Sequence, residues 1–187
     1  MPTMLIRISR WLVGAYLLVS VSVHAEQQSC VSVSLDSSGR VRGVDTCTGK
    51  AHAVALAASL QRAVVGATNL VVVGGGDFQQ GGRRYLLLAV AVPSNQANGA
   101  GFCGAGTEDK LLLAELGTAH RLYLRDKLQI QSCLKSFALS GDQGADLNVV
   151  LGSIADPSEF QLTWLMHPKY GDATKTVRVR DAKLLIE

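Results

Sequence analysis

No block of like charges interrupts this chain, and charged residues make up only 18% of it. Of its 18 Lys plus Arg, Arg7 and Arg10 lie in the first 25 residues, which hold no acid. Subtracting those two leaves 16 against 15 Asp plus Glu, a net charge of +1 from Glu26 onward. Such near-neutrality gives no electrostatic case for nucleic acid or for an anionic membrane. Metal motifs are missing as well: no cysteine pair has the C-x₂₋₄-C spacing of a zinc site, and neither H-E-x-x-H nor an Asp-x-Asp-x-Asp-Gly calcium loop occurs. His52, His120 and His167 are not spaced to share one face as ligands. Of G-x-S-x-G there is only the fragment Gly152-Ser153-Ile154, so no acyl-transfer nucleophile is marked. Gly74-Gly75-Gly76-Asp77-Phe78-Gln79 follows an apolar run, but the third fingerprint glycine falls at Gln79 and no amphipathic helix follows, so a dinucleotide loop is excluded in favour of a hairpin connection. No internal repeat and no low-complexity linker divide the chain. Catalytic, cofactor and metal residues therefore go unassigned.

What is present begins with an export signal. Arg7 and Arg10 precede the apolar run Trp11 to Val19, and Val23-His24-Ala25 supplies a small-residue cleavage site. Ser20, Ser22 and His24 dilute the run before it reaches the roughly 20 apolar residues of a transmembrane anchor. Residues 1–25 are read as a cleaved signal peptide, leaving 26–187 as one exported β-rich domain that starts at Glu26. All four cysteines follow the signal, and an even count in an exported chain implies two bridges. Local pairing joins Cys30 to Cys47 across a hairpin, and Cys103 to Cys133.

Val31, Val33 and Leu35 alternate with serines before the turn set Asp36-Ser37-Ser38-Gly39, the pattern of a half-buried hairpin strand. Lys50 to Val65 places Ala53, Leu56, Ala57, Leu60 and Val64 at helical spacing, with Thr48 as N-cap and Gly66 as stop. The spacing predicts one amphipathic helix over about 50–65. Tyr85 to Val92 is continuously apolar and ends at Pro93, which predicts a strand buried on both faces. Strands are expected over 111–116, 122–131 with a bulge or turn at Asp126-Lys127, 147–151, 160–166, 176–180 and 184–186. In the fourth of these, Phe160, Leu162, Trp164 and Met166 form the apolar face. The predicted fold is mainly β or α+β, an antiparallel β-sandwich or barrel-like meander carrying that one helix.

Two places suggest partner contact. Glu108 and Asp109 follow the glycine-rich stretch 94–106 and, with Cys103 bonded to Cys133, form a fixed acidic edge. Arg178 and Arg180 share a strand face by the two-residue period, with Arg83 and Arg84 as a second basic point. On an exposed loop, replacing Glu108 and Asp109 by alanine shifts stability by about 0.5 kcal/mol or less. The functional expectation is a non-enzymatic exported module that binds another protein of the envelope or extracellular space, such as an inhibitor or immunity-type protein. A small envelope hydrolase with a non-contiguous site and a surface-assembly subunit are the alternatives.

Overall fold

The alternation of valine with serine builds the first strand, β1 (Val31–Leu35), and the Asp36 turn returns the chain as β2 (Val41–Asp45). This computed structural model describes residues 29–94, 103–104, 106–141 and 147–187, so the signal over 1–25 and most of the 94–106 stretch lie outside the described residues. Inside the turn, one Asp36 carboxylate oxygen accepts the Ser38 and Arg40 backbone N–H groups at 2.9 and 3.0 Å. The expected helix over 50–65 is half strand. Residues before 58 pair instead as β3 (His52–Ala53) on β2 and β4 (Ala55–Leu56) on a distant strand, and only α1 (Ala58–Val64) is helical. Thr48 caps nothing, since the N-cap residue is Ala57 without a side-chain bond. Alanine's helix preference is a few tenths of a kcal/mol per residue, and tertiary strand pairing overrides it.

The central sheet has the order β4-β9-β8-β7-β5, using β5 (Asn69–Val72), β7 (Arg83–Pro93), β8 (Thr107–Gly117) and β9 (Arg121–Ser132), with β6 (Phe78–Gln80) also on β7. It curls into a half-barrel. Register shifts between β8 and β9 at Asp109/Lys110 and Leu113/Ala114 put extra residues, Ile130 and Arg125, into β9, and bulges of this kind increase local twist. A second antiparallel sheet, β10-β11-β12-β13, comprises β10 (Ala138–Leu139), β11 (Glu159–His167), β12 (Gly171–Arg180) and β13 (Lys183–Ile186). Between β10 and β11 lies α2 (Leu147–Leu151), where a strand was expected. Leu147 and Leu151 are buried and Val149 is 68% exposed. That is the i,i+4 geometry of a helix, whereas a strand would have put all three on one face. Strands hold 56% of the described residues, and α1 is the only helix of seven residues or more among them, so the fold is mainly β.

Three layers result. Leu87, Ala89, Leu111, Leu113 and Ile130 of the central sheet pack against Phe160, Leu162, Trp164, Val177 and Val179 of the second sheet. Leu86, Leu88, Val90, Leu112 and Leu122 on the opposite face pack against Val31 and Val33 of the first hairpin and Leu60 and Val64 of α1. Burial on both faces is why Tyr85 to Val92 is apolar without alternation.

Both expected disulfides are formed, Cys30 to Cys47 and Cys103 to Cys133, and bonds of this kind are typical of exported proteins. The second ties the chain entering β8 to the end of β9. A Cβ on Gly106 would lie 2.6 Å from the Cys133 Sγ, so glycine is what lets the two segments meet. No helix among the described residues is long and apolar enough to cross a membrane.

A basic groove beside the short helix as candidate functional site

Helix α1 turns Leu60 and Val64 into the core and leaves Ser59, Arg62 and Ala63 on its flank. Opposite that flank, one face of the central sheet changes character along its length. Leu88 and Leu112 are cross-strand partners under the helix; beyond them Val90 pairs with Lys110, and Leu112 pairs with Lys127. Where the apolar floor runs out, the sheet therefore offers lysines. Ser59, Arg62, Ala63, Val65, Val92, Lys110, Leu124 and Lys127 enclose a groove of about 570 Å³. Among the described residues no acid pairs with Arg62, Lys110 or Lys127. Three like charges around one concavity repel each other through partly apolar surroundings, and an anionic group bound between them relieves that repulsion.

In the other basic clefts each arginine has an acidic partner. Arg83 and Arg180, far apart in sequence, line one cleft with Tyr85 and Asp181, so the two basic points marked in the sequence do converge there. Arg83 lies 3.5 Å from Glu115, however, and Arg180 lies 3.7 Å from Asp181. Arg178 is gripped by Glu159 at 2.8 Å and Glu187 at 2.6 Å on the outer face of the second sheet. A third cleft, on the far side of α1, meets the groove at Val65 and holds Arg40 and Arg42, both paired with Asp36.

Family models, curated proteins and solved structures give no match to this chain. Function is read from its own geometry.

The acidic edge is corrected by that geometry. Glu108 and Asp109 belong to β8 rather than to a loop, and Asp109 is only 2% exposed. Glu108 shares the groove face with Lys110 by the strand period, yet its carboxylate is occupied. It accepts from Ser94 Oγ at 2.9 Å, Gln129 Nε2 at 2.5 Å, Ser132 Oγ at 2.6 Å and the Leu134 N–H at 3.1 Å. Burial opposes its ionisation, but the bonds from Ser132, Leu134, Ser94 and Gln129 outweigh burial and hold it below the ordinary glutamate range. Glu108→Ala is accordingly expected to destabilise by about 1–3 kcal/mol, because it strands several donors; urea unfolding measures this, and a loss under about 0.5 kcal/mol would return Glu108 to the surface class.

Two histidines far apart in sequence meet. His52 and His120 stack with ring centroids 4.0 Å apart, and His120 Nδ1 lies 2.7 Å from Asp45 Oδ2. A carboxylate orienting an imidazole is part of a hydrolytic triad, but here one face of the imidazole is covered by His52. The pair joins the first hairpin to the turn before β9. Cys30, Asp45 and Cys47 place three possible ligand atoms within 4.8 Å, but the two sulfurs are bonded to each other and offer no thiolate.

Asp77, passed over as part of a glycine-rich connection, proves to be an anchor. It accepts the Cys30 and Val31 N–H groups at 2.7 and 2.9 Å and Ser29 Oγ at 2.9 Å, and it is paired with Arg84. A side chain on Gly76 would put its Cβ 2.3 Å from the Ser29 Cβ, so the close approach needs glycine. A lone aspartate after three glycines was the available signal; Ser29, Cys30 and Val31 lie 46 to 48 residues away, and only Arg84, 7 residues on, is near in sequence.

Proposed function

We propose that the protein is an exported, non-enzymatic binding module that engages another protein of the envelope or extracellular space. The groove beside α1 is its contact site, and the segment it receives is acidic. The observation that carries this reading is the set of three cations, Arg62, Lys110 and Lys127, left without acidic partners among the described residues around one concavity, in a chain whose net charge from Glu26 onward is only +1. Two disulfides and a central sheet covered on both faces support it, because a preorganised site loses little freedom on binding. Val92, Leu124 and Ala63 give the groove apolar surface beside its charges. The Asp45 and His120 pair is what stands on the side of a hydrolase.

A photo-reactive residue at Ser59 of the exported protein identifies the partner by mass spectrometry, and calorimetry then compares wild type with the triple variant R62E/K110E/K127E. Reversal is expected to weaken binding roughly 30-fold or more, to leave the melting temperature within a few degrees, and to abolish binding of an oligo-glutamate peptide used as a second probe. A partner that binds the folded triple variant as tightly as wild type overturns the groove and makes the hairpin carrying Arg178 and Arg180 the next surface to test.

A further inference from the structure

By strand alternation Met166 belongs on the inner face with Phe160, Leu162 and Trp164. The structure turns it out. The register between β11 and β12 shifts between Trp164 and His167, leaving Leu165 and Met166 as consecutive residues that are 37% and 66% exposed. Met166 also has φ 56°, in the left-handed region that non-glycine residues avoid. A large apolar side chain held exposed at a backbone cost, at the turn that joins β11 and β12, calls for a use.

The turn is firmly built. His167 Nδ1 accepts the Lys169 and Tyr170 N–H groups at 3.1 and 3.3 Å, and its ring stacks on Tyr170 with centroids 4.6 Å apart. Phe137 meets the His167 ring edge-on at 4.8 Å, and Trp164 lies behind at 5.2 Å. Burial, then the nearby Lys169 and Lys135 ammoniums, hold the imidazole below its ordinary range, which keeps Nδ1 available as the acceptor of both bonds. Lys169 and Lys175 stand 5.0 and 5.8 Å from the Tyr170 ring. The turn's own acid, Asp172, accepts the Met166 N–H at 2.7 Å.

We infer that the turn joining β11 and β12 is a lipid-contacting tip that seats the protein on an anionic bilayer surface. Met166 and Leu165 enter the acyl boundary, Tyr170 lies at headgroup level, and Lys135, Lys169 and Lys175 meet lipid phosphates. This composition is that of an interfacial anchor: exposed apolar side chains, a tyrosine, and long cationic side chains whose stems reach past it. The chain's net charge concealed the site, because three lysines grouped around a turn that holds one acid, Asp172, are cancelled in the sum by acids elsewhere, whereas a surface potential acts only within about a Debye length. The inference does not rest on the groove.

The test is co-sedimentation of the exported protein with vesicles of phosphatidylcholine alone and of phosphatidylcholine mixed with phosphatidylglycerol. Binding to the mixed vesicles only, weakened by salt, is the expected result. Met166→Ser should reduce it several-fold, and each of Lys135→Gln, Lys169→Gln and Lys175→Gln about fivefold, with circular dichroism confirming that the variants fold. The groove variant R62E/K110E/K127E should sediment as wild type does. Absence of vesicle binding overturns the inference, and so does binding that Met166→Ser and the lysine variants leave unchanged. Loss of vesicle binding in the groove variant alone would place lipid contact in the groove and overturn it equally.

Discussion

Replacing Asp77 by alanine should cost about 3–5 kcal/mol, the range for removing one partner of a buried ion pair. Its carboxylate is fully buried, and it carries the Arg84 pair together with the N–H groups that open β1. Without it Arg84 keeps a partly buried charge, Cys30 and Val31 lose their acceptor, and the first hairpin is released from the central sheet. On the order of 10 °C in melting temperature corresponds to that cost for a domain of this size. The Asp77→Ala and Arg84→Ala double-mutant cycle separates the ion pair from the N–H bonds; a single-variant loss below about 1 kcal/mol would demote Asp77 to an ordinary loop residue. The same carboxylate should make the fold acid-labile. Burial raises its proton affinity, but the bonds from Val31, Arg84, Ser29 and Cys30 more than offset burial and leave its folded-state pKa below the ordinary value. A depressed carboxylate stabilises the fold fully above its unfolded-state value, near pH 4, and that contribution disappears as pH falls through the lower folded-state value. Glu108 and Asp45 are shifted in the same direction, so their losses add in the same window.

Trp164→Ala should destabilise by a similar amount, about 3–5 kcal/mol. Trp164 is wholly buried between the second sheet and the central one. Its indole N–H donates to the Ile130 carbonyl at 2.7 Å, at the residue that the β8 and β9 register shift inserts into the ladder. Two contributions can be told apart by a second variant. Trp164→Phe keeps most of the apolar volume but leaves the Ile130 carbonyl without its donor, which should cost about 1–3 kcal/mol by itself. Guanidinium unfolding with an unchanged slope would report stability alone. Equal losses in both variants would mean that the hydrogen bond, and not the packing, is what Trp164 contributes.

Much of the architecture was legible in local pattern. The serine and valine alternation of β1, the Asp36 turn, the two disulfide pairs and the unalternating β7 each express a rule that acts over a few residues or within one hairpin. The errors share a cause. Residues 50–57 and 147–151 are short segments of weak intrinsic preference, and distant partners decided them: β9 drew β4 into parallel pairing, while the core accepted Leu147 and Leu151 only at helical spacing. Met166 departed from its predicted face because one register shift reverses every orientation beyond it.

The candidate groove was less visible still. Arg62, Lys110 and Lys127 come from a helix and two strands, and each alone reads as a solvated surface charge. Asp77 and Glu108 show the opposite outcome, carboxylates that look exposed in sequence and are occupied in the fold. Composition and short-range periodicity by themselves determined the mainly β class, the paired cysteines and the continuous apolar strand at the centre, because hydrophobic burial and strand alternation act locally along the chain. Which charges are spent and which stay free was decided only by the tertiary structure, since pairing depends on side chains tens of residues apart arriving within a few ångströms of each other.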